Sequence, residues 1–252
     1  MAAIGYLKLA AIPKAPVTHV DVHDGFETRQ LSGIWDSHQL EPGSVVMQSE
    51  VVRAGRSAAR VVVHTRDRFE AGIHGSNDTE RDELCEAWHL ISRQDTTYEY
   101  AFSVFFPADF PIVPTRLVVA QWKQTCPGGA CVDDDVPVVA IRYSAGQLRI
   151  VQNLESRQRT LFRTGEEVRG RWLDFRFQMR FSTTDQGLIR AWIGERQVVD
   201  YHGVNANQPD RRTGYQSPSR FYFHMGLYRD VMEAPMTIFI DEYRKRELRD
   251  GG

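Results

Sequence analysis

The run Trp172-Leu-Asp-Phe-Arg-Phe-Gln-Met-Arg-Phe181 constrains the fold of this chain more than any other stretch. Leu173, Phe175, Phe177, Met179 and Phe181 alternate with Asp174, Arg176, Gln178 and Arg180. A period of two puts the apolar set on one face of a β-strand and the polar set on the other. Such a strand belongs to an antiparallel sheet with one wet side. Comparable runs recur at Ser44–Arg53, Ser57–Thr65, Tyr98–Phe106, Arg116–Gln124, Val136–Tyr143, Gln147–Asn153, Leu188–Ile193, Gln197–Tyr201, Ser219–Tyr228 and Met236–Tyr243. Turn-forming residues separate them. No amphipathic helix of ordinary length is predicted, only short helical turns such as one near Pro107–Phe110. Gly203–Ser219, rich in Asn, Pro, Gly and Arg, reads as a long loop. So many antiparallel strands predict two packed sheets. The expected class is all-β, a jelly-roll sandwich whose concave sheet offers an open groove.

With 252 residues, 42% of them hydrophobic, the chain can bury one substantial core. One domain is expected over residues 21–248, after an N-terminal extension of residues 1–20. A net charge of −2 gives no general attraction to nucleic acid or membrane, and no run is long enough to cross a bilayer. Met1–Pro16 is broken by Lys8 and Lys14 and lacks the shape of a signal peptide, which leaves the location open. Lysine occurs only at Lys8, Lys14, Lys123 and Lys245; arginine carries the remaining positive charge. Genome composition accounts for that bias, or a need for bidentate carboxylate binding does. Cys126 and Cys131 flank a turn-like loop that could close as a disulfide or stay reduced. Their spacing does not suit zinc. Asp133–Asp135 is either a solvated acidic loop or a structural calcium site.

Three segments carry polar faces suited to chemistry. In Glu80–Glu86, an extended chain puts Arg81, Glu83 and Cys85 on one side. An Arg held by a neighbouring Glu is a ready carboxylate receptor, although a solvated edge strand looks the same. In Leu117–Gln124, Gln121 and Lys123 point one way and Trp122 the other. This is either a strand end entering water or a pair of anion-binding groups. In Phe221–Tyr228, Phe221, Phe223, Met225 and Leu227 face the core, while Tyr222, His224, Gly226 and Tyr228 face outward. Two phenols and an imidazole on one strand face suit the floor of a binding cleft.

The order and internal spacing of Arg81-Asp-Glu-Leu-Cys85, Gln121-Trp-Lys123 and Tyr222-Phe-His-Met-Gly-Leu-Tyr228 resemble the motifs of jelly-roll polysaccharide lyases. That group includes alginate lyases, glucuronan lyases and heparin-lyase-I-like enzymes. Its alginate lyases carry Arg-Ser/Thr-Glu-Leu-Arg, Gln-Ile/Val-His and Tyr-Phe-Lys-Ala-Gly-x-Tyr in that order. Gly25-Phe-Glu, Phe106-Pro-Ala-Asp-Phe110, Gly170-Arg-Trp-Leu-Asp-Phe175, Ala191-Trp-Ile-Gly-Glu-Arg196 and Phe239-Ile-Asp-Glu-Tyr243 look like the glucuronan- and heparin-lyase branch. The resemblance spans residues 24–247. It implies a concanavalin-like jelly roll, an anionic polysaccharide partner, no cofactor, a monomer, and a secreted or periplasmic setting. It also implies that Tyr228 transfers the proton and that the Gln121 and Lys123 positions hold the substrate carboxylate or assist as base.

Two positions depart from the family pattern. Lys123 replaces its histidine, and Cys85 replaces its second arginine. His224 stands where the family often has lysine, so imidazole and cation have exchanged places. His74, shortly before Arg81, is a further candidate, or an ordinary surface histidine. The expected chemistry is β-elimination on a uronate. Arg81, Gln121 and Lys123 would neutralise its carboxylate where charge develops. Tyr228, a phenol with an ordinary pKa of about 10, would need nearby cations to act as a base. His224 is a further source of that charge. Glu83, Tyr222, His74, Arg176 and Arg180 are the expected substrate-binding residues. The alternative is a non-catalytic carbohydrate-binding domain on the same scaffold. A glycoside hydrolase fits poorly, because no strand carries the paired carboxylates it needs.

Overall fold

The computed structural model describes residues 19–71, 78–125, 136–155, 157–208 and 218–248. His74, Cys126, Cys131 and Asp133–Asp135 lie outside the described residues. The strands run in chain order as β1 (Asp21–Asp24), β2 (Trp35–Asp36), β3 (Val45–Gln48), β4 (Ala58–Val63), β5 (Thr79–Glu86), β6 (Ser92–Arg93), β7 (Thr97–Phe106), β8 (Leu117–Thr125), β9 (Val139–Ser144), β10 (Gln147–Leu154), β11 (Arg157–Arg163), β12 (Arg171–Arg180), β13 (Leu188–Ile193), β14 (Arg196–His202), β15 (Arg220–Asp230) and β16 (Met236–Glu247). They form two eight-stranded sheets. The first runs β14-β13-β12-β7-β16-β4-β3, with β1 on β16. The second runs β11-β10-β9-β8-β15-β5-β2, with β6 on β15. Among the described residues, the sole helical turn is a 3₁₀ turn at Trp88–Leu90. Near Pro107–Phe110 the chain instead makes a single tight turn, with the Phe110 N–H donating to the Pro107 carbonyl at 3.0 Å.

Alternation was a good guide wherever a strand has one dry face. It gave no warning of β11, whose residues Arg157–Thr160 are all exposed. An edge strand with both sides wet carries no period-two signal. The two-residue strands β2 and β6 are too short to show any pattern.

The inward faces meet in an aromatic core. Trp122 of the second sheet is fully buried, with ring centroids 4.8 Å from Phe177 of the first sheet and 4.8 Å from Phe223. Burying each such ring contributes roughly 1.5–3 kcal/mol. A buried ion pair also joins the sheets: Lys245 Nζ on β16 lies 2.8 Å from Glu86 Oε2 on β5. The Tyr243 hydroxyl donates to Glu86 Oε1 at 2.7 Å.

Gly226 sits where β15 presses against β5. A Cβ there would lie 2.3 Å from the Asp82 carbonyl oxygen and 2.9 Å from Glu83 Cα. The glycine therefore makes room for a neighbouring backbone, not for a ligand. The β15–β8 register shifts at the same place, between Met225 and Tyr228. This irregularity sets the aim of Tyr228.

Gly226→Ala is expected to cost about 3 kcal/mol, because the contact is backbone on backbone and cannot relax cheaply. Lys245→Met is expected to cost about 3–5 kcal/mol by leaving the Glu86 charge buried without its counter-charge. Urea unfolding of each variant beside the wild type checks both.

Candidate active site

The three polar-faced segments become three adjacent strands, β8, β15 and β5. Across β15–β5, Tyr228 stands opposite Arg81, Gly226 opposite Glu83 and His224 opposite Cys85. Across β15–β8, His224 stands opposite Gln121 and Tyr222 opposite Lys123. Opposed residues in an antiparallel pair share a face. All these side chains therefore lie on the outer face of the second sheet, away from the Trp122 core.

A cavity of about 290 Å³ opens on this face. Arg81, Arg116, Gln121, Lys123, Arg142 and Tyr228 line it, together with Val118, Val136 and Pro137. Four of these nine residues are cations and none is a carboxylate. Tyr228 is 7% exposed and belongs to a small apolar cluster with Val118, Ala140 and Val151.

Beneath the cavity lies Glu83, with no exposed surface. Gln121 Nε2 donates to Glu83 Oε1 at 2.6 Å. His224 Nδ1 and Arg81 Nη1 lie 3.7 Å and 3.9 Å from Glu83 Oε2, beyond hydrogen-bond length; Arg81 forms an ion pair there, and His224 does so only when protonated. Burial alone would raise the Glu83 carboxyl. His224, followed by Arg81 and Gln121, outweighs burial and holds the group below the usual carboxylate range. Burial acts the other way on His224, lowering its pKa against the pull of Glu83.

Arg81 is clamped from several sides. It pairs with Glu70 and donates from Nη1 to Gln39 Oε1 at 3.3 Å. Its Cζ lies 4.4 Å from the centroid of the Tyr228 ring. Burial works against its charge, but Glu83 and Glu70 prevail and raise its pKa above the ordinary arginine value. Arg116 reaches the same ring at 5.7 Å and is paired with Asp230 at 2.8 Å. Burial raises the Tyr228 phenol above 10, overcoming Thr79, Arg81 and Arg116, which all pull it down. Cations therefore lie beside the ring, yet the resting phenol keeps its proton at neutral pH.

The cavity brings together Arg81, Gln121, Lys123 and Tyr228. Glu83 and His224 lie under them as support, the imidazole being only 3% exposed. The Tyr222 ring sits 5.0 Å from that of His224. Burial pushes the Cys85 thiol far up, so this position offers neither a cation nor a nucleophile. Arg176 and Arg180 do not belong to the cleft. They lie on β12 in the first sheet, across the core from Tyr228. Arg176 stacks on Trp192 at 3.8 Å and faces Glu99. Alternation separates the two faces of a strand but does not say which sheet the strand will join.

Arg116 and Arg142 were missed. The signal for Arg142 was present, since it alternates with the inward Ile141 and Tyr143. Its position beside Tyr228 came only with pairing to Val118 on β8. Among the described residues, no group of three or more His, Cys, Asp or Glu is arranged to hold a metal ion.

Comparison with known proteins bears on this site. A family model described as polysaccharide lyase matches residues 26–244. No curated protein matches the chain. Among solved structures, an endo-β-1,4-glucuronan lyase from the fungus Trichoderma reesei superposes with a TM-score of 0.68 at 18% identity, covering 90% of this chain and 95% of that one. An alginate lyase in complex with an alginate trisaccharide superposes with a TM-score of 0.59 at 11% identity, covering 93% of this chain and all (100%) of that one. The cellulose-induced protein Cip1 superposes with a TM-score of 0.57 at 13% identity, covering 92% of this chain and 99% of that one. Identities this low establish the shared jelly-roll sandwich, and the family model carries the enzyme class. With that model running across nearly the whole sandwich and the cation-lined cavity, the chain belongs to the polysaccharide lyase family.

Proposed function

We propose that this lyase cleaves a uronate-containing polysaccharide by β-elimination, with Tyr228 as the proton carrier. One observation carries the reading: a buried phenol shares a cavity with four cations, and none of the described lining residues is a carboxylate. A uronate carboxylate would be attracted to that cationic lining. Arg81, with Gln121 and Lys123, would bind its carboxylate and stabilise the enolate-like state that forms when the C5 proton leaves. The alginate- and glucuronan-cleaving enzymes that share the fold act on polymers with the same carboxylate, which agrees with this substrate class.

The balance of the step is simple. The Tyr228 phenolate takes the C5 proton and becomes a phenol. The C5 electron pair forms the C4–C5 double bond, and the C4–O4 bond breaks. Tyr228 then returns the proton to the departing O4 and is a phenolate again. Arg81 and Arg116, on the Tyr228 ring, would stabilise that phenolate during turnover. Glu83 and His224 are positioning residues in this scheme: Glu83 holds the Gln121 amide, and His224 contributes to keeping Glu83 ionised. Lys123 takes the place of the family histidine as a fixed positive charge. The catalytic unit is taken as residues 21–248.

The elevated Tyr228 phenol favours a second reading, in which the cleft binds a polyuronate without cutting it. Absorbance of the new C4–C5 double bond, followed on glucuronan, alginate and related polymers, separates the two. A rise on one polymer that falls on the order of a thousandfold in Tyr228→Phe, with unfolding unchanged, supports the lyase with Tyr228 as carrier. Near-wild-type turnover in that variant removes Tyr228 from the role, and binding without any absorbance change favours the second reading.

The scheme also sets a pH dependence. The active form is the phenolate and the resting pKa lies above 10, so its fraction rises about tenfold per pH unit below that value. The expected kcat/KM climbs with pH through neutrality and bends only on the alkaline side. A profile flat from pH 6 to 9 would assign the base to another group.

A further inference from the structure

Strand register carries the positive charge of the cleft well beyond Tyr228. Tyr228 stands opposite Val118 of β8, Val118 opposite Arg142 of β9, Arg142 opposite Arg149 of β10, and Arg149 opposite Arg163 of β11. Opposed residues share a face, and neighbouring strands lie about 4.8 Å apart. The arginines therefore form a row that leads away from Tyr228 across the strands.

Arg142 and Arg149 differ from most arginines of this protein. Arg81, Arg116, Arg176, Arg190 and Arg229 each have a carboxylate partner. The side chains of Arg142 and Arg149 have no hydrogen bond or ion pair to any described residue, although both residues are partly buried. Burial, Arg116 and Arg149 disfavour the Arg142 charge, and Tyr228 and Asp230 offset them only in part. Cations held side by side with no carboxylate in contact cost free energy, and an arriving anion relieves that cost. On the other side of Tyr228 the pattern reverses. Asp36 of β2 stands opposite Cys85, and Glu70 occupies Arg81.

We propose that Arg142 and Arg149 form a second carboxylate-binding subsite for the uronate that neighbours the one at Tyr228. The inference rests on the polyuronate reading of the same cleft. It adds a direction to it: the polymer lies across the strands, with its charged residues over β9 and β10 and the opposite end over β5 and β2. Efficient cleavage then requires a carboxylate on two successive sugars, and a polymer alternating uronate with neutral sugar is a poorer substrate.

The test uses the full chain and the variants Arg142→Gln, Arg149→Gln and the double variant, with Arg190→Gln on the first sheet as control. Circular dichroism and thermal unfolding establish that each is folded. On the polyuronate that the wild type cleaves, each single change is expected to raise KM about tenfold, the loss of one charge-assisted pair. The effect falls on KM more than on kcat, and it shrinks as salt screens the attraction. Arg149→Lys, which keeps the charge but loses the fork, falls between. A KM within twofold of wild type for Arg149→Gln and the double variant overturns the subsite while leaving the lyase reading intact. If the wild type cleaves no polyuronate, the lyase reading falls instead. Affinity electrophoresis in glucuronan and alginate gels then decides the subsite alone: retardation lost in the double variant supports it, and retardation equal to wild type removes it.

Discussion

Glu83 lies wholly buried between β5, β8 and β15, and much of the site follows from the need to satisfy it. A carboxylate with no access to water must be paired and hydrogen-bonded, or give up its charge. Gln121 supplies the hydrogen bond from β8, Arg81 a positive charge from β5, and His224 an imidazole from β15. Those three side chains are thereby fixed in direction before any ligand arrives. Arg81, held by Glu83 on one side and Glu70 on the other, has its guanidinium over the Tyr228 ring. Positioning of this kind lets a binding site act without reorganising, which is where preorganised electrostatics gains most of its effect.

Among the described residues, the lining of the cleft is cationic. Arg81 and Arg116 have carboxylate partners outside the lining, whereas Arg142 has none among the described residues. Burial keeps the Tyr228 proton in place against those cations. These tendencies do not conflict. A phenol with a high pKa is a strong base once ionised. Replacement of the family histidine by Lys123 changes a titratable group into a fixed charge. The imidazole at position 224 lies under the floor instead, so its contribution passes through Glu83.

The inner architecture protects this arrangement. Close approach of β15 to β5 at Gly226 sets the aim of Tyr228, and the pair of Lys245 with Glu86 locks the end of β5 to the opposite sheet. Both are backbone or buried-charge constraints with little tolerance for substitution. The geometry of the cleft therefore depends on residues that do not line it.

Most of the architecture was legible along the chain, because a half-buried strand writes its two faces into alternate residues. Strands β12 and β15, their inward sets, and the shared order of the Arg81, Gln121 and Tyr222–Tyr228 segments could all be read there. The chain alone thus determined an all-β sandwich and the main groups of the cleft. Tertiary structure alone decided which strands became neighbours. It removed Arg176 and Arg180 to the other sheet, brought Arg116 and Arg142 to Tyr228, and revealed that the Gly226 space belongs to a backbone. The physical reason is that alternation is local, a property of one strand and its two environments. Pairing and register are set by hydrogen bonds between segments far apart in sequence, here as distant as Arg81 and Tyr228, and no single segment records its partner.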